Sequence, residues 1–108
     1  MADFIVTDSR SVIPIADEFN FEQSASFFVN PLTAVCMVER CKELGAKSCI
    51  VTAADSQIGR MLVSVLIQNG ITPICTIRRE EQAEILKGLM GPKFSKLIVN
   101  TSSPDFRV

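Results

Sequence analysis

Short apolar runs alternate along the chain with segments in which apolar residues recur at helical spacing. This order predicts a repeated succession of strands and helices. Short apolar runs at residues 48–52, 73–77 and 96–100 have the length and apolar content of buried strands. Between the first two runs, apolar positions recur at helical spacing and form a stripe that we expect to face a sheet. The stripe consists of Ile58, Met61, Leu62, Val65 and Leu66.

Turn and cap residues set the predicted ends of the other helices. Asn30 followed by Pro31 predicts a helix start, because Asn caps free backbone amides and proline suits the first helical position. We expect that helix to stop at Gly45. A charged helix is predicted over residues 80–89, with a stop at Gly91. Its predicted inward residues are Ile85, Leu86 and Leu89.

The N-terminal part has a different pattern. Residues 3–15 hold two apolar bursts around a polar turn, which predicts a strand or extended chain, with Pro14 at an edge or in a connector. Residues 21–28 are compatible with a short helix. We therefore expect a short N-terminal strand and helix region before the repeated part.

The repeated part has the order β-α-β-α-β, which requires parallel strands and right-handed crossovers. It predicts the α/β class, as a half-Rossmann parallel sheet with helices on both faces. With only three strands of the Rossmann order present, the strand from Ser48 to Thr52 becomes an edge. That strand is uncharged and lacks proline, so it is a template for pairing. We expect a protein partner or self-association to cover it.

Length and charge narrow the classes of protein. With 108 residues, the chain has room for one domain at most. A net charge of -1, with basic residues spread along the chain, argues against a nucleic-acid or anionic-membrane surface. No apolar run approaches the ~20 residues of a membrane span, and the acidic start lacks the regions of a signal peptide. We expect an intracellular protein, cytoplasmic or mitochondrial.

The residue types restrict the chemistry of the chain. Its 4 Cys residues fit no metal-ligand spacing and it has 0 His, so we expect reduced thiols and no metal site. Without His or Tyr, acid–base catalysis would fall to Ser, Thr, Asp, Glu, Lys or Cys, and the catalytic residues stay unknown. Hydride transfer is compatible with this set, because a cofactor carries that chemistry.

Residues 50–59, IVTAADSQIG, have the form of a nucleotide-binding turn between a strand and a helix. Small residues stand where a dinucleotide fingerprint has three glycines: Ala54, Ser56 and Gly59. We expect the amides at the helix start to meet a pyrophosphate. These amides belong to Ser56, Gln57, Ile58 and Gly59. The alternative is an ordinary tight turn, and Asp55 would weaken a phosphate site if its carboxylate pointed inward.

Arg78 and Arg79 end the second strand, where this type of fold contacts the adenosine ribose. Two guanidinium groups favour a 2′-phosphate, and therefore NADP, by charge and by bidentate geometry. Thr76 adds a hydroxyl that can contact the same phosphate. The alternative is a solvated patch in which the arginines pair with nearby acidic residues. The candidates are Glu80, Glu81 and Glu84.

Three separated segments together resemble a known family. They are FFVNPLTA at residues 27–34, TAADSQIGRML at residues 52–62 and IRREEQ at residues 77–82. In this order and spacing they resemble the zinc-independent branch of the medium-chain dehydrogenase/reductase family, with its quinone oxidoreductase-like and enoyl reductase-like members. The resemblance covers residues 3–106.

The resemblance implies an NADPH-dependent oxidoreductase that reduces quinones or activated alkenes. It also implies that Asn30 and Thr33 lie near the nicotinamide end of the cofactor, although a helix cap and a first-turn hydroxyl explain them too. Residues 1–20 would be a remnant strand leading from the family's catalytic domain, and residues 21–108 a partial NADP-binding Rossmann domain. Most of the catalytic domain and the second half of the sheet would then be missing.

Three functions are compatible with these observations. The first is the NADPH-binding portion of such an oxidoreductase, whether as this chain or as a fragment of a longer enzyme. The second is a truncated, catalytically inactive relative that acts as a structural or interaction subunit, which the substituted glycines and Asp55 favour. The third is a regulator that senses NADPH without reacting.

Overall fold

The computed structural model describes residues 2–106. Its helices are α1 (Phe21–Ala25), α2 (Val29–Glu43), α3 (Gln57–Gln68) and α4 (Glu80–Met90). Its strands are β1 (Ser48–Val51), β2 (Thr72–Ile77) and β3 (Ile98–Asn100). Met1, Arg107 and Val108, at the ends of the two expected segments, lie outside the described residues. Within those residues, no helix is long and apolar enough to cross a bilayer.

The strands form one parallel sheet in the order β1-β2-β3. Val51 of β1 lies opposite Cys75 of β2, and Cys75 lies opposite Ile98 of β3. The predicted parallel α/β sheet is therefore confirmed, and β1 is an edge strand of it. Because the strands are parallel, their carboxyl ends lie at one edge of the sheet, next to the starts of α3 and α4.

The core lies between the sheet and one layer of helices. Helices α3 and α4 contact the strands, and α3 also contacts α2. Val63 and Leu66 of α3 and Leu86 of α4 pack with Val51 and Cys75. Two right-handed crossovers made in the same direction place α3 and α4 on the same side of the sheet.

The opposite side of the sheet is open. Ile50, which alternates with Val51 along β1, is 65% exposed. Among residues 2–106 the helices that flank the sheet are α2, α3 and α4, and the exposed Ile50 marks the side of β1 that they leave open.

Helix α2 begins earlier than the Asn30-Pro31 signal predicts. Phe28 occupies the cap position without a side-chain hydrogen bond, and Val29 is the first helical residue. The Leu32 amide donates to the Phe28 carbonyl at 3.1 Å, so a backbone turn starts the helix. Asn30 is therefore a helical residue and not the cap.

Glycines end α2 and α4 as predicted. Gly45 has a φ of 67°, and the following Ala46 amide donates to the Cys41 carbonyl at 2.9 Å. Gly91 has a φ of 75°, and its amide donates to the Lys87 carbonyl at 3.0 Å. Because glycine adopts positive φ without a steric penalty, both stops could be recognised from the sequence.

The buried face of α3 overlaps the predicted stripe only in part. Leu66 is fully buried as expected, whereas the other stripe residues are half-buried. The centre of the buried face is a line through Gly59, Val63 and Leu66. Val63 was missing from the stripe, because periodicity alone does not fix the rotation of a helix to within one residue.

The inward face of α4 is also rotated. Leu86 is buried as predicted, but Ile85 and Leu89 are 48% and 42% exposed. Ala83 and Met90 are the other buried residues of this helix. Helix α4 packs closely on both α3 and the sheet, and a small residue, Ala83, fits at this contact. The predicted face was based on hydrophobicity alone and therefore did not include it.

Residues 2–20 do not form the short strand that we expected. They contain a 3-10 turn at Ser9–Ser11 and a turn in which the Phe19 amide donates to the Ala16 carbonyl at 3.1 Å, and no strand. Phe4 and Val6 are 93% and 101% exposed, so the apolar bursts have no core to pack on. A strand needs a hydrogen-bonded neighbour, and this segment has none among the described residues. The predicted helix at residues 21–28 is confirmed in shorter form as α1.

Candidate functional site

The carboxyl ends of the strands open into a cleft of about 1020 Å³. It lies at the carboxyl ends of the strands, where parallel α/β sheets bind ligands. Four of the predicted cofactor-binding residues line it: Ser56, Thr76, Arg78 and Arg79. The other lining residues are Thr52, Ala53, Asp55, Ile77, Gln82, Thr101 and Ser102.

The turn between β1 and α3 is held by its own hydrogen bonds. Ser56 caps α3, because its Oγ accepts from the Gly59 amide at 3.1 Å. The Ser56 amide donates to the Ala53 carbonyl at 2.9 Å, and the Ala54 amide donates to the Thr76 carbonyl of β2 at 3.2 Å. The turn is therefore tied both to its own helix and to the neighbouring strand.

These bonds decide which amides at the start of α3 are open to a ligand. The Ser56 and Gly59 amides already have intramolecular acceptors. The Gln57 and Ile58 amides have none among the described residues. As the first two amides of the helix, they carry the positive end of its dipole. Of the four predicted donors, these two therefore keep an amide without an acceptor in the described chain, although neither residue lines the cleft.

Gly59 brings α3 into close contact with the turn. A Cβ placed on Gly59 lies 2.7 Å from the carbonyl oxygens of both Ala53 and Ala54, closer than real Cβ atoms approach. The retained glycine of the fingerprint therefore serves the packing of helix on strand. Ala54 is fully buried, and the residue with a positive φ, 48°, is Ala53, which is not a fingerprint position.

Asp55 is paired with Arg60 at the start of α3. Nη2 and Nε of Arg60 donate to Asp55 Oδ1 at 2.7 and 3.0 Å, and Nε also donates to the Asp55 carbonyl at 2.9 Å. The side chains are 15% exposed for Asp55 and 44% for Arg60. The carboxylate that was unfavourable for a phosphate is thus neutralised within the protein. Arg60 was not predicted, because no motif marks a pair at this spacing.

Arg78 and Arg79 are exposed where β2 ends. Gln82 Oε1 accepts from the backbone amides of both residues at 3.1 Å, which fixes the backbone from which the side chains extend. Among residues 2–106, neither guanidinium forms an ion pair. Two positive charges therefore stand at the wall of the cleft without an acidic partner.

The acidic residues that follow Arg79 are engaged elsewhere or exposed. Glu84 pairs with Lys87 at 2.7 Å, one turn further along α4. Glu80 Oε2 accepts from Asn100 Nδ2 at 2.9 Å. Arg78 and Arg79 are exposed, as in the alternative interpretation of a solvated patch, but within residues 2–106 the ion pairs of that alternative do not form.

The loop after β3 supplies a wall of the cleft that was not predicted. The amide and Oγ1 of Thr101 donate to the Ile77 carbonyl at 2.9 and 3.0 Å. The Ser102 amide donates to Asn100 Oδ1 at 3.0 Å. A polar run directly after an apolar strand, at the edge where two other strands end, was the signal that could have identified these residues.

Asn30 and Thr33 do not line the cleft. Both lie in the first turns of α2, and Thr33 Oγ1 donates to the Val29 carbonyl at 2.7 Å. That contact is the ordinary one of a hydroxyl within a helix. The structure therefore brings neither residue to the other predicted site residues.

The cysteines and acidic residues are not arranged as a metal site. Within the described part of the chain, no group of three His, Cys, Asp or Glu side chains is placed to hold a metal ion. Cys75 lies in the core, with its Sγ 3.6 Å from Met90 Sδ. Burial raises the pKa of the Cys75 thiol to about 11, so this group stays protonated at neutral pH.

Comparison with known proteins shows a similarity to a solved structure. No protein-family model matches the chain, and no curated protein matches it. The chain is similar to the crystal structure of a protein from Mesorhizobium loti with the provisional name NADPH:quinone reductase, with 34% sequence identity and a TM-score of 0.74. The match covers 87% of this chain but 26% of the other, so the chain spans about a quarter of that protein's length. The described part has a quinone-oxidoreductase-like fold.

Proposed function

We propose that the chain is the NADPH-binding portion of a zinc-independent oxidoreductase that reduces quinones or activated alkenes. The observation that carries this proposal is the pair of guanidinium groups of Arg78 and Arg79. They have no acidic partner within residues 2–106 and line the same cleft as Ser56, the cap of α3. The similarity to a protein named NADPH:quinone reductase supports the same assignment.

In this proposal the turn after β1 binds the pyrophosphate of the cofactor, and the turn after β2 binds its 2′-phosphate. The open amides of Gln57 and Ile58 bind the pyrophosphate, because they combine free donors with the positive end of a helix dipole. Arg78, Arg79 and the Thr76 hydroxyl bind the 2′-phosphate. Gly59 supports this site indirectly, because its missing side chain lets the start of α3 pack closely on the turn.

NADPH supplies a hydride when bound, and the residues of this chain bind and orient it. Residues 21–108 would act as the partial cofactor-binding domain of a medium-chain dehydrogenase/reductase. Residues 1–20 would be the segment that leads into it. Asn30 and Thr33 lie in α2 and do not line the cleft. They would contact the nicotinamide end only if the bound cofactor extended beyond the cleft to the start of α2.

A fluorescence titration tests cofactor binding directly. The chain has 0 Trp and 0 Tyr, so NADPH emission is measured against little protein fluorescence. We expect saturable binding of NADPH and weaker binding of NADH. In the double variant Arg78→Asp plus Arg79→Asp, loss of charge-assisted contacts worth about 1.5–3 kcal/mol each should weaken NADPH binding at least about tenfold.

The matched control has the same change of charge elsewhere. Lys93→Asp plus Lys96→Asp alters two exposed basic residues that do not line the cleft. We expect this variant to keep most of its NADPH affinity. If both double variants lose affinity equally, the effect comes from net charge, and the assignment of the 2′-phosphate to Arg78 and Arg79 is wrong. If the unmodified chain binds no NADPH, the proposal fails.

A second function, as an interaction subunit, is favoured by the edge strand. β1 has one free side in the described sheet, and Ile50 on its open face is 65% exposed. We propose that another copy of the chain or a partner protein covers the edge from Ser48 to Thr52. Sedimentation at micromolar concentration tests this, with Ile50→Lys as the variant that charges the edge. A stable monomer in both cases would exclude self-association.

A further inference from the structure

Two cysteines from different elements meet beside β1. Cys41 lies in the last turns of α2 and Cys49 in β1, and their Sγ atoms are 4.0 Å apart. Both residues are half-buried. Neither lines the proposed cofactor cleft.

The fold itself produces this contact. The Ala46 amide donates to the Cys41 carbonyl at 2.9 Å, which turns the chain back at the end of α2. Cys49 then lies opposite Pro73 and alternates with Ile50, so it shares the helix-covered face with Val51. A residue in the last turns of α2 and a residue of β1 are thus held side by side.

The other two cysteines do not share this arrangement. Cys36 is exposed on α2 and has no sulfur neighbour within the described residues. Cys75 is buried against Met90. The chain therefore contains an exposed thiol and a core thiol that serve as internal controls for the pair.

The pair is open to small molecules. Cys41 and Cys49 line a groove of about 500 Å³ between α2, β1 and α3. Its walls are mostly apolar and include Met37, Ile50 and Leu62. A small uncharged oxidant can enter such a groove and reach both sulfur atoms.

We propose that Cys41 and Cys49 form a dithiol site at which a hydroperoxide closes an intramolecular disulfide. One thiolate attacks a peroxide oxygen, the O–O bond breaks, and a sulfenic acid and water (or an alcohol) result. The second thiolate then attacks the sulfenic sulfur, the S–O bond breaks, and the hydroxide leaves as water after taking up a proton. Both thiols are oxidised by two electrons in total, and the peroxide is reduced.

The geometry fits this reaction. A disulfide requires an S–S distance of about 2.05 Å, so the sulfurs approach by roughly 2 Å, a distance within the reach of side-chain rotation. Burial and the neighbouring Cys41 thiol raise the pKa of Cys49.

Closure of the disulfide joins the end of α2 to the edge strand. β1 leads directly into the turn that holds the start of α3, so the bond restrains the strand on which that turn depends. This effect is independent of the proposed cofactor, because neither sulfur is part of the cleft.

Peptide mapping of the folded full-length chain tests the proposal. Trypsin cleaves after Arg40, Lys42, Lys47 and Arg60, and therefore separates Cys36, Cys41 and Cys49 onto different peptides. After treatment with hydrogen peroxide, and alkylation of the remaining thiols, we expect the peptide of Cys41 joined to that of Cys49 as the main disulfide. The intact monomer should lose two hydrogen masses and two titratable thiols, and dithiothreitol should reverse both changes.

Variants and a denatured control separate the possible outcomes. Cys36→Ser should keep the joined peptides, whereas Cys41→Ser and Cys49→Ser should lose them. In denaturant, Cys36 should compete for the same partners, because only the fold selects the pair. The proposal is overturned if Cys41 and Cys49 stay reduced while Cys36 is oxidised, if links to Cys36 or to a second chain dominate, or if the denatured chain shows the same selectivity.

Discussion

The turn after β1 and the turn after β2 stand side by side at one edge of the sheet, yet they use their polar groups differently. In the first turn, the Ser56 hydroxyl, the Gly59 amide and the Asp55 carboxylate all have partners within the protein. In the second turn, the backbone is fixed by Gln82, but the side chains of Arg78 and Arg79 have no acidic partner in the part of the chain that the structure describes.

The first turn therefore contributes a fixed backbone shape to the cleft, and the second contributes positive charge. The first turn holds itself in place and leaves only the amides of Gln57 and Ile58 for a ligand. The second turn offers charge that nothing in the described chain neutralises. A substitution in the first turn should therefore affect stability more than ligand preference. A substitution in the second turn should affect ligand preference more than stability.

The largest expected effect comes from Gly59→Val. A Cβ at this position meets two backbone carbonyl oxygens at 2.7 Å, and backbone cannot move aside as a flexible side chain can. We expect the free energy of unfolding to fall by about 3 kcal/mol, the upper end of typical overpacking. Thermal and urea denaturation measure the loss.

Gly88→Val is the matched control for this substitution. Gly88 also lies within a helix, but a Cβ there meets no atom within 4 Å. We expect its stability to be unchanged or slightly higher, because valine has a better helix propensity than glycine. Equal melting temperatures for the two variants would show that the close contact of α3 with the turn is absent.

The second turn is tested by Arg79→Gln, which removes one charge and keeps most of the side chain. We expect NADPH affinity to fall about tenfold, the loss of one charge-assisted contact, while NADH affinity stays the same. Stability should change by less than about 0.5 kcal/mol, as at other exposed positions. A parallel loss of NADH affinity would mean that Arg79 contacts a part common to both cofactors.

A smaller effect is expected from Ser56→Ala, which removes the cap of α3. Its Oγ accepts from the Gly59 amide at 3.1 Å, and such a cap contributes about 1 kcal/mol. Ser64→Ala is the control, because Ser64 Oγ only donates to the Arg60 carbonyl within the same helix. Chemical denaturation should show a lower free energy of unfolding for Ser56→Ala alone. If both variants unfold alike, the hydroxyl of Ser56 is not a cap in solution.

The sequence predicted the fold well where one residue type decides the local structure. Gly45 and Gly91 marked helix ends because few other residues adopt positive φ, and the β-α-β-α-β order fixed the parallel sheet. It failed where two elements compete for the same surface. The exposure of Ile85 and Leu89 depends on how α4 packs against α3, which no local pattern contains.

The site was predicted in the same uneven way. Arg78 and Arg79 could be recognised from their place at the end of a strand, and the structure does bring them to the cleft with Ser56 and Thr76. The direction of a short side chain could not be predicted. The sequence left open whether the Asp55 carboxylate would oppose a phosphate, because its partner Arg60 lies in the following helix, α3.

Asp55→Asn therefore gives the smallest and most discriminating effect. The pair with Arg60 is partly exposed and contributes less than about 1 kcal/mol, so we expect a slight loss of stability. Removal of the carboxylate also leaves the positive charge of Arg60 without its counter-charge at the start of α3. NADPH affinity should then rise by a few-fold at low ionic strength, and the gain should shrink as salt screens the charge. A fall in affinity instead would mean that Asp55 holds the turn in its binding shape, and that the first turn shares in ligand recognition as much as the second.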